Sequence, residues 1–172
     1  MLFRSTSSRV SSAITARVGG LFPLREYIEI CGAIAPALFE RALRQVVAES
    51  EALRVQITEH DGQPRQVIAA LEAWSLPTID VSSEPDPRTA AEAWMRSDLA
   101  RPVEPTGSPL FGFALFKASD DLFFWYARYH HIVADGFTMW LFARRVAHVY
   151  TELSLGRSAQ EGAFGSLHVL LE

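Results

Sequence analysis

The chain has 172 residues, enough for one domain with a sizeable core. Hydrophobic residues make up 49% and charged residues 21%, the balance of a soluble globular protein, and the net charge of −4 gives no electrostatic reason to expect nucleic acid. No apolar run is long enough to span a bilayer, and the lone Cys31 excludes internal disulfides and cysteine-based zinc sites, which fits a reducing, cytoplasmic setting.

Met1 to Arg25 contains no acidic residue, while Arg4, Arg9, Arg17 and Arg25 are scattered among serines and alanines. That pattern is shared by organelle transit peptides, but a disordered leader or a misplaced start is the favoured reading. Order is expected to begin near Pro23. Tyr27 to Cys31 reads as a strand ended by Gly32, and Pro36 opens a helix in which Leu38, Phe39, Ala42, Leu43, Val46 and Val47 recur at helical spacing. Leu53 to Ile57 alternates like a half-buried strand. Asp61-Gly62 is a hairpin turn signal, and Gln66-Val67-Ile68 supplies the returning strand.

Trp74 to Val81 reads as an irregular or short extended link. Ser82 to Arg88 is a loop into a helix, Thr89 to Leu99, and the prolines of 101–109 mark another loop. Leu110–Lys117 and Leu122–Tyr129 are apolar and aromatic throughout and predict a buried antiparallel hairpin. The following helix, Phe137 to Leu153, has its apolar stripe at Met139, Phe142, Val146, Val149 and Leu153. Arg144, Arg145, His148 and Glu152 read as its solvated face. The tail carries Phe164, Leu167, Val169, Leu170 and Leu171. Such an apolar ending points to truncation, or to a surface meant for something else.

The strand-to-helix junction holds Tyr-His-His-Ile-Val-Ala-Asp-Gly, residues 129–136. Histidine is the side chain suited to proton transfer near neutral pH, and rigid elements on both sides would hold it. Adjacent extended residues point to opposite sides, so one of His130 and His131 faces a given cavity. Asp135 stands where a carboxylate caps a helix, and Gly136 lets the backbone turn. Taken singly, a histidine after an apolar strand is more often structural than catalytic. A metal site is disfavoured because one carboxylate is nearby and neighbouring histidines rarely converge on one ion. No Gly-x-Ser-x-Gly elbow signals a serine nucleophile.

These residues resemble the His-His-x-x-x-Asp-Gly signature of condensation domains from non-ribosomal peptide synthetases, within the chloramphenicol-acetyltransferase-like acyltransferases. Further segments agree in order and spacing. Glu51-Ala52-Leu53-Arg54, between Phe39–Val47 and Asp61-Gly62-Gln63-Pro64, resembles the second core motif. Arg101-Pro102-Val103 with Pro109-Leu110-Phe111 resembles the lead into the active-site hairpin. Phe164-Gly165-Ser166-Leu167 resembles the linker after the active-site helix.

The resemblance implies a two-layer α/β sandwich, a mixed and largely antiparallel sheet with helices on one face. It implies His131 as the catalytic histidine that deprotonates or positions the attacking amine. His130, Asp135, Gly136 and Arg54 follow as supporting residues, with Arg54 in a salt bridge to Asp135. It implies that no cofactor is bound directly, that phosphopantetheine arrives on peptidyl or acyl carrier proteins, and that neither nucleic acid nor membrane is a partner. The expected layout is an atypical leader over 1–22 and an N-terminal subdomain over 23–172.

The family's first core motif has no counterpart in residues 1–25, and its second subdomain, the other wall of the tunnel, does not follow. The motif therefore encodes amide-forming acyl transfer, while the isolated polypeptide is expected to be incomplete as an enzyme. It would need a separate C-terminal subdomain or other synthetase modules as partners. The alternatives are half of a stand-alone acyltransferase, or a non-catalytic module that binds a carrier or partner subunit.

Overall fold

The two apolar runs pair as expected. In the computed structural model, which describes residues 24–70, 74–101, 106, 109–160, 162 and 164–167, β5 (Phe111–Lys117) and β6 (Leu122–Tyr129) form an antiparallel hairpin running from Phe111↔Tyr129 to Lys117↔Phe123. Ser119 closes the turn by donating its hydroxyl to Asp121 at 2.6 Å. The leader over 1–22 lies outside the described residues.

β1 (Leu24–Cys31) runs antiparallel along β6, and β4 (Thr78–Asp80) runs parallel along β5. The sheet order is β1-β6-β5-β4, so the sheet is mixed and largely antiparallel. β4 falls in the stretch expected to be an irregular or short extended link. Three residues are too few for periodicity to announce, and its position comes from pairing with β5.

Alternation along β5 and β6 splits their side chains between two cores. Phe113, Leu115, Trp125 and Tyr129 face α1 (Pro36–Glu49) and α3 (Gly136–Ser154). Ala114, Phe116, Phe124 and Tyr126 face α2 (Pro87–Leu99). The α/β architecture is therefore the expected one, with a difference in layering: α2 covers the opposite face of the sheet from α1 and α3. The reason lies in the strands. With both faces of β5 and β6 apolar, a helix on one side alone would leave Phe116 and Phe124 in water.

α1 starts at Pro36, where the missing N–H costs nothing, and buries Phe39, Ala42, Leu43, Val46 and Val47. α2 begins two residues earlier than the periodicity predicts, because Asp86 caps it by accepting the Arg88 and Thr89 N–H groups at 3.1 and 3.2 Å. β2 (Val55–His60) and β3 (Gln63–Ile68) form a separate two-stranded sheet. Its turn, Asp61-Gly62, has φ of 53° and 71°, the doubly positive geometry that suits a two-residue hairpin. A 3-10 turn, Ala52–Arg54, precedes β2, so the strand starts at Val55 rather than at Leu53.

One charge on α3 departs from the solvated face predicted for it. Arg145 turns inward and binds Glu49 of α1 bidentately, donating Nε–H and Nη2–H to the two carboxylate oxygens at 2.8 and 2.7 Å, with the two side chains 10% and 6% exposed. The chain after α3 packs back over this junction. Phe164 and Leu167 rest on the main core, and Glu51 accepts the Leu167 N–H at 2.6 Å. Val169, Leu170 and Leu171 lie outside the described residues.

Candidate functional site

The site sits where β6 hands over to α3. Tyr129, 1% exposed, is the last residue of β6 and packs edge-on to Phe113 and Phe142. His130 follows at once. Its N–H donates to the Leu110 carbonyl at 2.7 Å, which extends the pairing of the hairpin by one step. Its carbonyl accepts the Val133 N–H at 3.0 Å and closes a turn. Its ring Nδ1 accepts the Ile132 N–H at 3.2 Å, so a neutral His130 ring carries its proton on Nε2. His130 is half-buried, and its N–H, carbonyl and Nδ1 all shape the loop.

His131 occupies the apex of that turn and is exposed. Val133 and Ala134, 8% and 5% exposed, anchor the turn from below. The two histidines thus divide as adjacent residues should: one is committed to the loop and the other is presented outward.

Asp135 is the N-cap of α3. One carboxylate oxygen accepts the Thr138 N–H at 2.8 Å and the Thr138 hydroxyl at 2.7 Å. The backbone bond from Thr138, then its hydroxyl, holds the Asp135 carboxyl below its ordinary value, because both favour the charged form. Thr138 was not singled out from sequence. Its signal was present: a cap residue followed three positions later by a side chain able to bond back. Gly136 is the first residue of α3. It has no positive φ, and a Cβ built there meets nothing within 4 Å. Its lack of a side chain is therefore not required by the turn. It leaves the helix start uncovered.

The expected salt bridge between Arg54 and Asp135 is not formed. Asp135 is committed to Thr138, and Arg54 Nη1 donates to the Ala69 carbonyl at 3.2 Å, while the Arg54 carbonyl accepts the Ala69 N–H at 2.9 Å. The 3-10 turn that carries Arg54 directs it along the root of the β2–β3 hairpin. Arg54 also lines a small cleft with Leu53, Val55, Trp74, Pro109 and Phe111.

The other side of β6 has its own polar anchor. Arg128, two residues before His130, pairs with Asp98 of α2 at 3.3 Å, and the Tyr126 hydroxyl donates to Asp98 at 3.0 Å. Gly112, the register partner of Arg128 on β5, makes room for it: a Cβ at Gly112 would stand 3.1 Å from Arg128 Nη2. Sequence periodicity gave no hint of this cluster, since it depends on α2 lying on the second face. Among the described residues no three His, Cys, Asp or Glu side chains gather as a metal-binding set, and no helix is long and apolar enough to cross a membrane.

The family described as Condensation domain matches residues 22–167, so this chain belongs to the condensation-domain family. It is similar to a dimodular nonribosomal peptide synthase of Bacillus subtilis (strain 168), 49% identical over 152 residues that cover 88% of this chain and 6% of that protein. It is similar to an isonitrile lipopeptide synthase of Streptomyces coeruleorubidus, 46% identical over 143 residues that cover 83% of this chain and 10% of that protein. Among solved structures, the starter condensation domain of rhizomide synthetase superposes with a TM-score of 0.83 at 46% identity, covering 87% of this chain and 36% of that one. The chain therefore spans a tenth or less of these two synthases and about a third of that solved domain.

Proposed function

We propose that this chain is the part of a non-ribosomal peptide synthetase condensation domain that carries the catalytic loop. The reaction joins a carrier-bound acyl or peptidyl thioester to the amine of a carrier-bound aminoacyl thioester. The observation that carries this reading is His131, exposed at the apex of a turn whose every neighbour is tied down, in a chain of this family.

His131 holds the amine and takes its proton as nitrogen attacks the thioester carbonyl. The C–N bond forms, the C–S bond breaks, and the proton passes to the departing thiolate. The uncovered start of α3 at Gly136 lies beside the loop, where backbone N–H groups stabilise negative charge on the carbonyl oxygen. His130, Asp135 and Thr138 keep the loop in shape. Arg54 supports the root of the neighbouring hairpin. Phosphopantetheine enters on peptidyl or acyl carrier proteins in the cytoplasm and is not held by this chain.

The rhizomide starter domain was crystallised, as a double mutant, with C8-CoA and Leu-SNAC, so an eight-carbon acyl thioester and an aminoacyl thioester are the substrates to try. In a protein completed with the remainder of a condensation domain, His131→Ala should slow amide formation from this pair by about 10²–10⁴-fold. A variant within tenfold of the parent would sink the assignment.

A further inference from the structure

Toward the histidine loop, the two faces of the β5–β6 hairpin are held by different means. On the face toward α1 and α3, buried apolar side chains continue to the end: Leu115, Phe113 and Phe111 of β5 stand beside Trp125, Ala127 and Tyr129 of β6. On the face toward α2, the β5 residues shrink from Phe116 to Ala114 to Gly112, opposite Phe124, Tyr126 and Arg128. Among the described residues, the apolar cluster of that face includes Phe116, Ala114, Phe124 and Tyr126 but neither Gly112 nor Arg128. Apolar packing there gives out just short of the loop.

A charge takes over at that point. Asp98, in the last turn of α2, turns one oxygen, Oδ2, toward two residues of β6: Arg128 Nε lies 3.3 Å away, and the Tyr126 hydroxyl donates at 3.0 Å. A spacing of two puts both residues on the same face of the strand. Arg128 and Asp98 are 17% and 13% exposed, so solvent screens their attraction little. Apolar contact is non-directional and lets a strand end shift, whereas a largely buried ion pair fixes a distance. Gly112 completes the seat, since a Cβ there would stand 3.1 Å from Arg128 Nη2 and 3.3 Å from its Nε. Two residues beyond Arg128, the His130 N–H makes the last bond of the hairpin, to Leu110, and the turn that presents His131 begins.

We propose that Asp98 is a positioning residue for the reaction: through Arg128 it fixes the end of β6 on the α2 face, and so sets where His131 stands. Asp98 acts through the strand and the loop, not on a reacting group. The reaction it serves rests on the condensation reading above.

Amide hydrogen exchange of this chain, followed by NMR, tests the anchor. The His130 N–H reports on the loop end of the hairpin. The Leu115 N–H, bonded to the Pro77 carbonyl at 2.9 Å in the buried middle of β5, reports on the core. Two variants disturb the pair in different ways. Asp98→Asn keeps the shape and removes the charge. Gly112→Ala keeps the charge and pushes the guanidinium off its seat. Each should speed exchange at His130 about tenfold and leave Leu115 within about twofold. With Arg128→Ala already in place, Gly112→Ala should add less than about twofold at His130.

A pair that merely stabilises the fold would move both amides by the same factor. That result, or an unchanged His130 amide in both variants, overturns the proposal. An undiminished effect of Gly112→Ala in the absence of Arg128 overturns it too. Should Asp98→Asn fail to fold, Gly112→Ala and its dependence on Arg128 decide.

In the completed protein, with the thioester pair named above, both variants should lower kcat about tenfold and leave KM for each thioester within about twofold, because a displaced group loses rate before it loses binding. An unchanged kcat in variants whose His130 amide is loosened overturns the positioning role. A parent protein that forms no amide removes the condensation reading instead, and the anchor then stands or falls on the exchange ratio.

Discussion

Hairpin β5–β6 and hairpin β2–β3 share a local design and differ in surroundings. Both are antiparallel pairs closed by short polar turns. β5–β6 is covered on both faces, with Phe113, Phe116, Phe124 and Trp125 all buried. β3 is exposed along its whole length, and Val67 and Ile68 are 41% and 37% exposed. The covered hairpin launches the histidine loop, because its last ladder step is the bond from His130 N–H to Leu110. The uncovered hairpin holds Arg54, the residue expected to steady that loop, and keeps it for its own root at Ala69. His131 takes its position from the buried strand it follows rather than from Arg54.

The contrast can be broken most severely in the core. Phe113 is 6% exposed and lies flat against Phe142, with ring centroids 5.6 Å apart. Phe113→Ala should cost about 4 kcal/mol in denaturant melts and blur the loop's NMR signals, since cavity and lost transfer energy add. Val67→Ala on the uncovered hairpin should stay within about 0.5 kcal/mol. Equal losses at the two sites would remove the distinction between the hairpins.

Next in size is the clamp between α1 and α3. Glu49→Ala leaves Arg145 buried without its carboxylate and should cost about 3 kcal/mol, because the stranded charge is dearer than the pair is favourable. Replacing Glu49 and Arg145 together by Leu and Met should restore most of that loss. A double replacement as unstable as the single one would show that the clamp acts through something other than charge.

A smaller effect belongs to the loop itself. Asp135→Ala should lower stability by about 1 kcal/mol through loss of the helix cap. Its carboxyl titrates below the ordinary 3.8 in the folded chain, so the stabilisation is fully present above that value and is lost as pH falls through the folded value. The gap between parent and variant in thermal melts should therefore hold from neutral pH down to the ordinary carboxylate range and close in stronger acid. A gap that widened in acid would contradict the capping role.

Much of this was legible in the amino-acid order. The runs ending at Lys117 and Tyr129 specify a strand pair buried on both faces. The stripe from Met139 to Leu153 specifies α3, and Asp61-Gly62 specifies its turn. The junction residues 130–136 stand out because histidines and a cap residue interrupt apolar sequence. What was not legible depends on tertiary direction. Arg144 and Arg145 are adjacent and chemically alike, and only the packing of α1 against α3 decides which one meets Glu49. The side of the sheet covered by α2 was hidden, because a helix that buries just Ala91 and Met95 marks its face weakly. Arg54 stood at the family's spacing for an Asp135 partner, but the 3-10 turn that carries it aims the side chain elsewhere.

The relation between the two hairpins can be measured as a single coupling energy. Arg54→Ala, Asp135→Ala and the double variant form a cycle read by denaturant melts of this chain. With Asp135 committed to Thr138 and Arg54 to Ala69, the two losses should add to within about 0.5 kcal/mol. A coupling of about 1.5 kcal/mol or more would mean that Arg54 and Asp135 do pair, and that the uncovered hairpin, not the buried one alone, holds the histidine loop.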